Sequence, residues 1–283
     1  MHALTKFIGL ALLVVATAFI LAQATRSDAT PHHQAATVAV PAHSHNDYYR
    51  NQPLHESLAV GMASIEIDVF PHNDKLMVAH DRHEIGSFGD INSAYLEPLI
   101  ARLQRLGRVY PGQDLSQPII LLVDFKDSWV KSLPILERDL EPLRPWLQRV
   151  ENGTIIPGKV MVVVSGLSPR EHIASQSNRL LFADGRLPDL SPTGHPAHVA
   201  PIVSDRWRDH FDWRGEGAMP AHELRKLRSF IRQAEARGQI IRFWATPDTP
   251  SAWAQLLDAG VHLVNTDKPI EFGVWYSQQL SSQ

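Results

Sequence analysis

Ser64-Ile65-Glu66-Ile67-Asp68-Val69-Phe70-Pro71-His72-Asn73-Asp74-Lys75-Leu76-Met77-Val78-Ala79-His80-Asp81 is the stretch around which the chain is organised. Its first half alternates β-branched and acidic residues with period two, which predicts a strand. Glu66 and Asp68 then share one face, about 7 Å apart along the strand. Two carboxylates side by side repel each other and lose hydration, and a hard divalent cation that takes carboxylate oxygens relieves both costs. A turn at Asn73-Asp74 leads into a second apolar run, Leu76 to Ala79, which ends in His80-Asp81. A titratable imidazole following a metal pair points to phosphate chemistry. The alternative is a solvated acidic strand ending in a surface hairpin.

Ahead of this stretch, residues 1–24 have the pattern of a secretory signal peptide. Lys6 precedes an apolar run from Phe7 to Ala22, and Ala22-Gln23-Ala24 supplies small residues for cleavage. The run is shorter than the roughly 20 residues of a membrane span, and an uncleaved N-terminal anchor is the alternative. Residues 25–37 are polar and aperiodic and read as a linker. The expectation is a protein exported to the periplasm or the medium after cleavage near Ala24, with a single domain over residues 38–283. The formal charge of -3, with no basic block, gives nucleic-acid binding little support. The chain has no cysteine, so any metal must be held by Asp, Glu or His.

Apolar runs at residues 37–42, 64–70, 118–125, 159–165, 179–183, 201–204, 239–245 and 261–265 alternate with helical patterns at 53–61, 94–106, 129–150, 169–177, 221–237 and 250–259. Gly61, Gly107, Gly238 and Gly260 stand where helix C-termini call for glycine. Residues 185–200, rich in Pro and Gly, predict a loop. This order favours an α/β fold, a single (β/α)8 TIM barrel, over an open sheet.

In such a barrel the reactive groups collect at the C-terminal strand ends. Here the first run ends in His43-Ser44-His45-Asn46-Asp47, the second carries Glu66 and Asp68, and the third ends in Asp124-Phe125-Lys126. The later ones end in Asp184-Gly185-Arg186, Ser204-Asp205-Arg206, Trp244 and Asn265-Thr266-Asp267. Charges that close apolar strands have to be paired or ligated at the mouth. The aromatic and charged loop over residues 206–217, with Trp207 and Trp213, reads as a lid or a lipid-facing surface.

The motifs His43-Ser44-His45-Asn46-Asp47-Tyr48, Glu66-Ile67-Asp68-Val69, Val78-Ala79-His80-Asp81 and Leu122-Val123-Asp124-Phe125-Lys126 resemble the phosphatidylinositol-phospholipase-C-like phosphodiesterase superfamily. The His-Ser-His-Asn-Asp-Tyr opening is most similar to the altered inheritance of mitochondria protein 6 group, related to glycerophosphodiester phosphodiesterases and sphingomyelinase D. Arg242-Phe243-Trp244-Ala245-Thr246 and Asn265-Thr266-Asp267-Lys268-Pro269 resemble the last two strands of the glycerophosphodiesterase barrel. The likeness spans about residues 40–272, weakly between 130 and 235.

The resemblance implies a phosphoric diester hydrolase holding one Mg2+ or Ca2+ on Glu66, Asp68 and Asp124, with His80 as one catalytic histidine. His45 is favoured as the other, with His43 beside it on the same strand face. In the related families the attacking hydroxyl often belongs to the substrate, giving a cyclic phosphate. Lys126, Trp244, Asn46 and Arg206 are the candidate substrate contacts; an ion pair with a carboxylate is the alternative for Lys126, and a surface ion pair for Arg206. The sequence lacks the Arg-Gly after the first His and the Pro-Glu-Asn segment of glycerophosphodiesterases, which argues against a glycerol phosphate substrate. The expected partner is a small-molecule or lipid phosphodiester, with transient membrane-surface contact and a monomeric state. A metal-dependent glycosidase is disfavoured, since its acid and base are normally carboxylates. A non-catalytic barrel that binds an anionic phosphate-containing ligand is the remaining alternative.

Overall fold

The computed structural model describes residues 39–113 and 117–282. The signal and linker expected over residues 1–37 lie outside the described residues. Eleven strands are seen among them: β1 (Val40–Ser44), β2 (Met62–His72), β3 (Lys75–Val78), β4 (Ile119–Phe125), β5 (Arg149–Glu151), β6 (Thr154–Ile156), β7 (Val160–Gly166), β8 (Leu181–Gly185), β9 (Ile202–Arg206), β10 (Ile240–Trp244) and β11 (Val264–Thr266). Eight of these pair in parallel in the order β10-β9-β8-β7-β4-β2-β1-β11. A parallel bridge between Arg242 and Leu263 joins the two ends, so the sheet closes into the expected barrel. All eight apolar runs contribute a barrel strand.

The helices that cover the barrel are α1 (His55–Ala59), α2 (Glu97–Leu106), α3 (Trp129–Leu140), α4 (Arg170–Ser175), α5 (Ala221–Ala236), α6 (Pro250–Ala259) and α7 (Pro269–Ser281). Gly61, Gly107, Gly238 and Gly260 all have positive φ just past a helix, as their positions predict. The sequence reading did not anticipate α7, whose Pro269 stands in its first turn, where a missing N–H costs nothing.

The helical pattern over residues 129–150 is corrected by the structure. α3 stops at Leu140, and Pro142 and Pro145 tighten the chain into a 3-10 turn over Glu141–Trp146. The chain then forms the antiparallel β5–β6 hairpin around Asn152 and Gly153, both at positive φ. An Asn-Gly pair is the sequence signal for such a turn, and the helical period running into it concealed it. Asn73 and Asp74, at φ 48° and 60°, make the same kind of turn between β2 and β3.

The expected lid over residues 206–217 is also corrected. Trp207 and Trp213 are buried. Trp207 stacks on Phe211 with ring centroids 4.0 Å apart, meets Phe243 edge-on, and donates its Nε1–H to the Trp213 carbonyl at 3.0 Å. An aromatic cluster of that size belongs to the core between barrel and helices.

Period-two alternation sorts the barrel strands into two faces. Ile119, Leu121, Val123 and Phe125 of β4 join the large outer core under the helices. Ile120, Leu122, Met161, Val163, Phe182, Ile202 and Leu263 form a separate inner cluster. Two residues further along, the inner face carries Asp124, Ser165, Asp184, Ser204 and Asn265. The barrel is therefore filled with hydrocarbon below and lined with polar groups at its C-terminal mouth. Phe182 is fully buried in the small inner cluster. Phe182→Ala should lower stability by about 3–5 kcal/mol, read as a fall in the urea midpoint at unchanged slope.

Candidate active site

β2 carries Glu66 and Asp68 into the mouth, and β4, paired with it in register, sets Asp124 beside Asp68. Oxygens of the three carboxylates lie within 4.8 Å of one another, and Glu66 and Asp68 are buried.

Each of the β2 carboxylates is compensated on one oxygen. Glu66 Oε2 accepts from Arg242 Nη2 at 3.0 Å and pairs with His43 Nε2 at 2.9 Å. Burial alone would raise the Glu66 pKa, but Arg242 and His43 hold it well below the usual carboxylate range. Asp68 Oδ2 accepts from Tyr48 Oη at 2.9 Å, and meets Lys126 Nζ and His80 Nδ1 at 2.8 Å each. Burial, and then the charge of Asp68, push the Tyr48 phenol far above its ordinary value, so it stays a donor. The other Asp68 oxygen, Oδ1, is buried with no hydrogen-bond partner among the described residues. Among the described residues Asp124 has only Lys126 as a cation, at 3.4 Å; burial and the neighbouring carboxylates push its pKa up to about 6.

The structure separates the two histidines that the sequence leaves together. His43 has no exposed surface; its Nδ1 accepts from Ser64 Oγ at 2.7 Å and its Nε2 is bound to Glu66. Burial, reinforced by Arg242, lowers its pKa to about 3, so it is a neutral, fully engaged wedge behind the carboxylates. His45 lies just past the end of β1, with its side chain 25% exposed and Nδ1 2.7 Å from Asp267 Oδ1. Its Nε2 stands 3.8 Å from Glu66 Oε2. Burial opposes charge on His45, but the Asp267 hydrogen bond and Glu66 outweigh it and raise its pKa. His80, 44% exposed, has one ring nitrogen on Asp68 and the other without a protein partner among the described residues.

Of the candidate substrate contacts, Lys126 sits in the cluster, paired with two carboxylates as its alternative reading has it. Asn46, at φ 47°, accepts from Tyr48 Oη at 3.0 Å. Trp244 faces the Arg186 guanidinium at 5.3 Å. Arg206 is not brought to the carboxylates: it is half-exposed and pairs with Asp209 at 3.5 Å, the surface ion pair of its alternative reading.

The sequence reading missed several groups. Asp47 accepts from Ser44 Oγ (2.8 Å), Leu54 N (2.6 Å), Tyr95 Oη (3.1 Å) and Ser57 Oγ, and so pins the loop that carries His45 and Tyr48. Asn265 Oδ1 accepts from Arg242 Nε and Nη2, at 3.1 and 2.8 Å. Arg242 itself is a charged residue at an inward position of an otherwise apolar strand, a signal visible in Ile240-Ile241-Arg242-Phe243-Trp244. Replacing Arg242 with Met should destabilise the fold by about 3–5 kcal/mol, because Glu66 is left charged and buried with one partner fewer. Equilibrium unfolding measures this, and the loss should exceed that of Arg206→Met, a surface pair worth about 0–1 kcal/mol.

Residues 32–184 match the AIM6-like phosphodiesterase domain, and residues 241–270 match the glycerophosphoryl diester phosphodiesterase family. The chain is 31% identical over 258 residues to an altered inheritance of mitochondria protein 6 homolog of Arthroderma benhamiae, covering 81% of this chain and 82% of that protein. It is 28% identical over 271 residues to altered inheritance of mitochondria protein 6 of Eremothecium gossypii, covering 81% and 68%. Among solved structures it is similar to a glycerophosphodiester phosphodiesterase from Parabacteroides distasonis, with 14% identity, 87% of this chain and 99% of that one covered, and a TM-score of 0.48. A second, from Agrobacterium tumefaciens, gives 17% identity, coverage of 86% and 99%, and a TM-score of 0.47. With more than half of its length matched by the first family model, and a relative of 31% identity aligned over most of both chains, this chain belongs to the AIM6-like phosphodiesterase domain family.

Proposed function

We propose that this chain is a metal-dependent phosphoric diester hydrolase of the lipid or glycerophosphodiester type. One observation carries the reading. Two partly exposed histidines, each with one ring nitrogen on a carboxylate, flank three clustered carboxylates of which Asp68 keeps a buried oxygen unpartnered.

The donor set fits a hard divalent cation. All three side chains offer oxygen, none offers sulfur, and a cation on Asp68 Oδ1 would satisfy the buried oxygen of this cluster that has no hydrogen-bond partner among the described residues. Glu66, Asp68 and Asp124 would hold one Mg2+ or Ca2+, which supplies charge neutralisation for the phosphate oxygens when bound. Lys126 adds a fixed positive charge at the same place.

His45 is the general base. Asp267 accepts from its Nδ1–H, which fixes the tautomer and leaves Nε2 as the proton acceptor for the attacking hydroxyl. His80, oriented in the same way by Asp68, is the general acid that protonates the leaving oxygen. His43 has neither a free nitrogen nor access to the mouth, and its role is to hold Glu66.

Gly166 sets the position of the third carboxylate. At φ 65° it packs so closely that a Cβ would collide with Asp124 Oδ1 and with the Phe125 carbonyl oxygen. Gly166→Ala should therefore weaken divalent-cation affinity by about 10–100-fold, measured by calorimetric titration with Ca2+.

Hydrolysis of bis-p-nitrophenyl phosphate tests the reading. Turnover with Mg2+ or Ca2+ should vanish with EDTA and in Asp124→Asn. His45→Ala and His80→Ala should each lower kcat by about 10²–10⁴, with thermal unfolding confirming intact folding. Unchanged turnover in both histidine variants would sink the acid–base assignment. No turnover with any divalent cation, across this ester and a panel of lipid phosphodiesters, would sink the enzymatic reading.

A further inference from the structure

His45 and Asp267 stand just past the ends of two neighbouring parallel strands. The β1–β11 register pairs His43 with Asn265 and Ser44 with Thr266, and the His45 N–H donates to the Thr266 carbonyl at 3.0 Å. Asp267 follows β11, and its side chain is 60% exposed. An exposed carboxylate past a strand end is a poor anchor by itself. Holding it in one direction costs conformational entropy that its own burial does not repay.

Two other loops supply what burial does not. The Asp267 N–H donates to Asp248 Oδ2 at 2.9 Å, and the Asp267 carbonyl accepts from Arg50 Nη1. Asp248 belongs to the loop between β10 and α6, and Arg50 to the loop between β1 and α1. The two planar peptide groups that flank the Asp267 Cα are thereby both tied, which fixes φ, ψ and the direction in which the side chain leaves the backbone.

Asp248 is held in its turn. Its Oδ1 accepts from the Trp253 indole Nε1–H at 2.6 Å. Trp253 has no exposed surface and packs on Phe272 and Trp275, with ring centroids 5.0 and 5.4 Å away. Each oxygen of Asp248 thus takes one neutral N–H, one from the core under α6 and one from the rim. A carboxylate suits that bridge because both of its oxygens accept and neither donates. An unbroken series of contacts runs from Trp253 through Asp248 and Asp267 to His45 Nδ1.

We propose that Asp248 is a positioning residue for the base. By fixing the Asp267 backbone it sets the direction of the carboxylate that holds His45 Nδ1, and so aims Nε2 into the mouth. The inference rests on the phosphodiesterase reading in one respect, that His45 is the base; the link from Trp253 to His45 stands apart from it.

Asp248→Asn tests the link. The shape is kept, but an amide has one accepting oxygen and one donating nitrogen, so either the indole or the Asp267 N–H now faces another donor. With bis-p-nitrophenyl phosphate, kcat should fall about 10–100-fold, the scale of a misplacement of about 1 Å, at unchanged KM. Calorimetric titration with Ca2+ should give wild-type affinity and stoichiometry, which counts the folded sites. In a chain already carrying His45→Ala, Asp248→Asn should cost less than about twofold more, because nothing is left to position. A defect elsewhere would multiply the two losses.

A second readout needs no turnover. The ring 15N shifts of His45, read through its carbon-bound protons at alkaline pH and identified by their absence in His45→Ala, report the tautomer. The wild type should hold the Nδ1–H form and Asp248→Asn a mixture. Trp253→Phe, which keeps Asp248 and removes its indole donor, should move kcat and tautomer in the same direction by a smaller factor, and serves if Asp248→Asn does not fold. An unmoved tautomer, an unchanged kcat in an active enzyme, a loss that multiplies that of His45→Ala, or a Ca2+ affinity that falls with kcat would overturn the positioning role. Wild-type turnover that is lost in His45→Ala and kept in Asp248→Asn removes the positioning role and leaves the hydrolase. A tautomer that depends on Asp248 in a chain without turnover removes the hydrolase and leaves the link.

Discussion

Three carboxylates whose oxygens lie within 4.8 Å of one another dominate the energetics of the barrel mouth. At an effective dielectric constant of about 20, each pair at such a distance repels by roughly 3–4 kcal/mol. Three pairs together rival the net stability of a whole domain, about 5–15 kcal/mol. The fold meets this repulsion from several strands at once. β10 sends Arg242 across the barrel to Glu66, the end of β4 sends Lys126 to Asp68 and Asp124, and β1 wedges neutral His43 against Glu66. Two fixed cations face three carboxylates, and Asp124 is the one whose acidity is weakened, by burial first and by Asp68 and Glu66 after it. The divalent cation proposed above would offset the remaining negative charge and leave one positive charge in excess to meet a phosphate.

The same constraint divides the mouth into two sectors. On the side of β1, β2, β4, β10 and β11, Arg242 and Lys126 are committed to the carboxylates, and Asp267 and Asp68 each hold a ring nitrogen of a partly exposed histidine. On the side of β7 and β8, charges are paired among themselves, and the unpartnered atoms are a carboxylate oxygen of Asp184 and the hydroxyl of Ser168. Gly166 is the joint between them, small enough for Asp124 to lean against its backbone while its other side borders a recess at the ends of β7 and β8. A side chain at that position would push the third carboxylate away.

Much of the fold is legible because the barrel writes its layers into the strands. An inward face that reads Ile120, Leu122, Asp124 announces both a buried strand and the height at which the hydrocarbon stops. The failures have local causes. The helical pattern over residues 129–150 ignores Pro142 and Pro145, which allow only a tightened turn, and it masks the Asn152-Gly153 hairpin. The Trp207–Trp213 loop looks amphipathic in sequence, yet burying two indoles and Phe211 against Phe243 removes more apolar surface from water than a lid would. Arg242 escapes for a different reason. Its partner Glu66 is 176 residues away, and only closure of the barrel brings β10 across from β2.

The pair His43 and His45 shows where reading a strand by alternation ends. Both residues share a face, so the sequence makes them equivalent, and two residues of translation along the chain make them opposite. His43 lies below the rim, where burial and Arg242 remove any use for charge and both ring nitrogens are spent on Ser64 and Glu66. His45 lies at the rim, where Asp267 takes one nitrogen and partial exposure leaves the other open. Proton transfer needs a nitrogen that is free and a charge that is affordable. Those two conditions meet at the boundary between the packed interior and the mouth, which supports the proposed assignment of proton transfer to His45, just past the end of β1, and of a structural role to His43 within it.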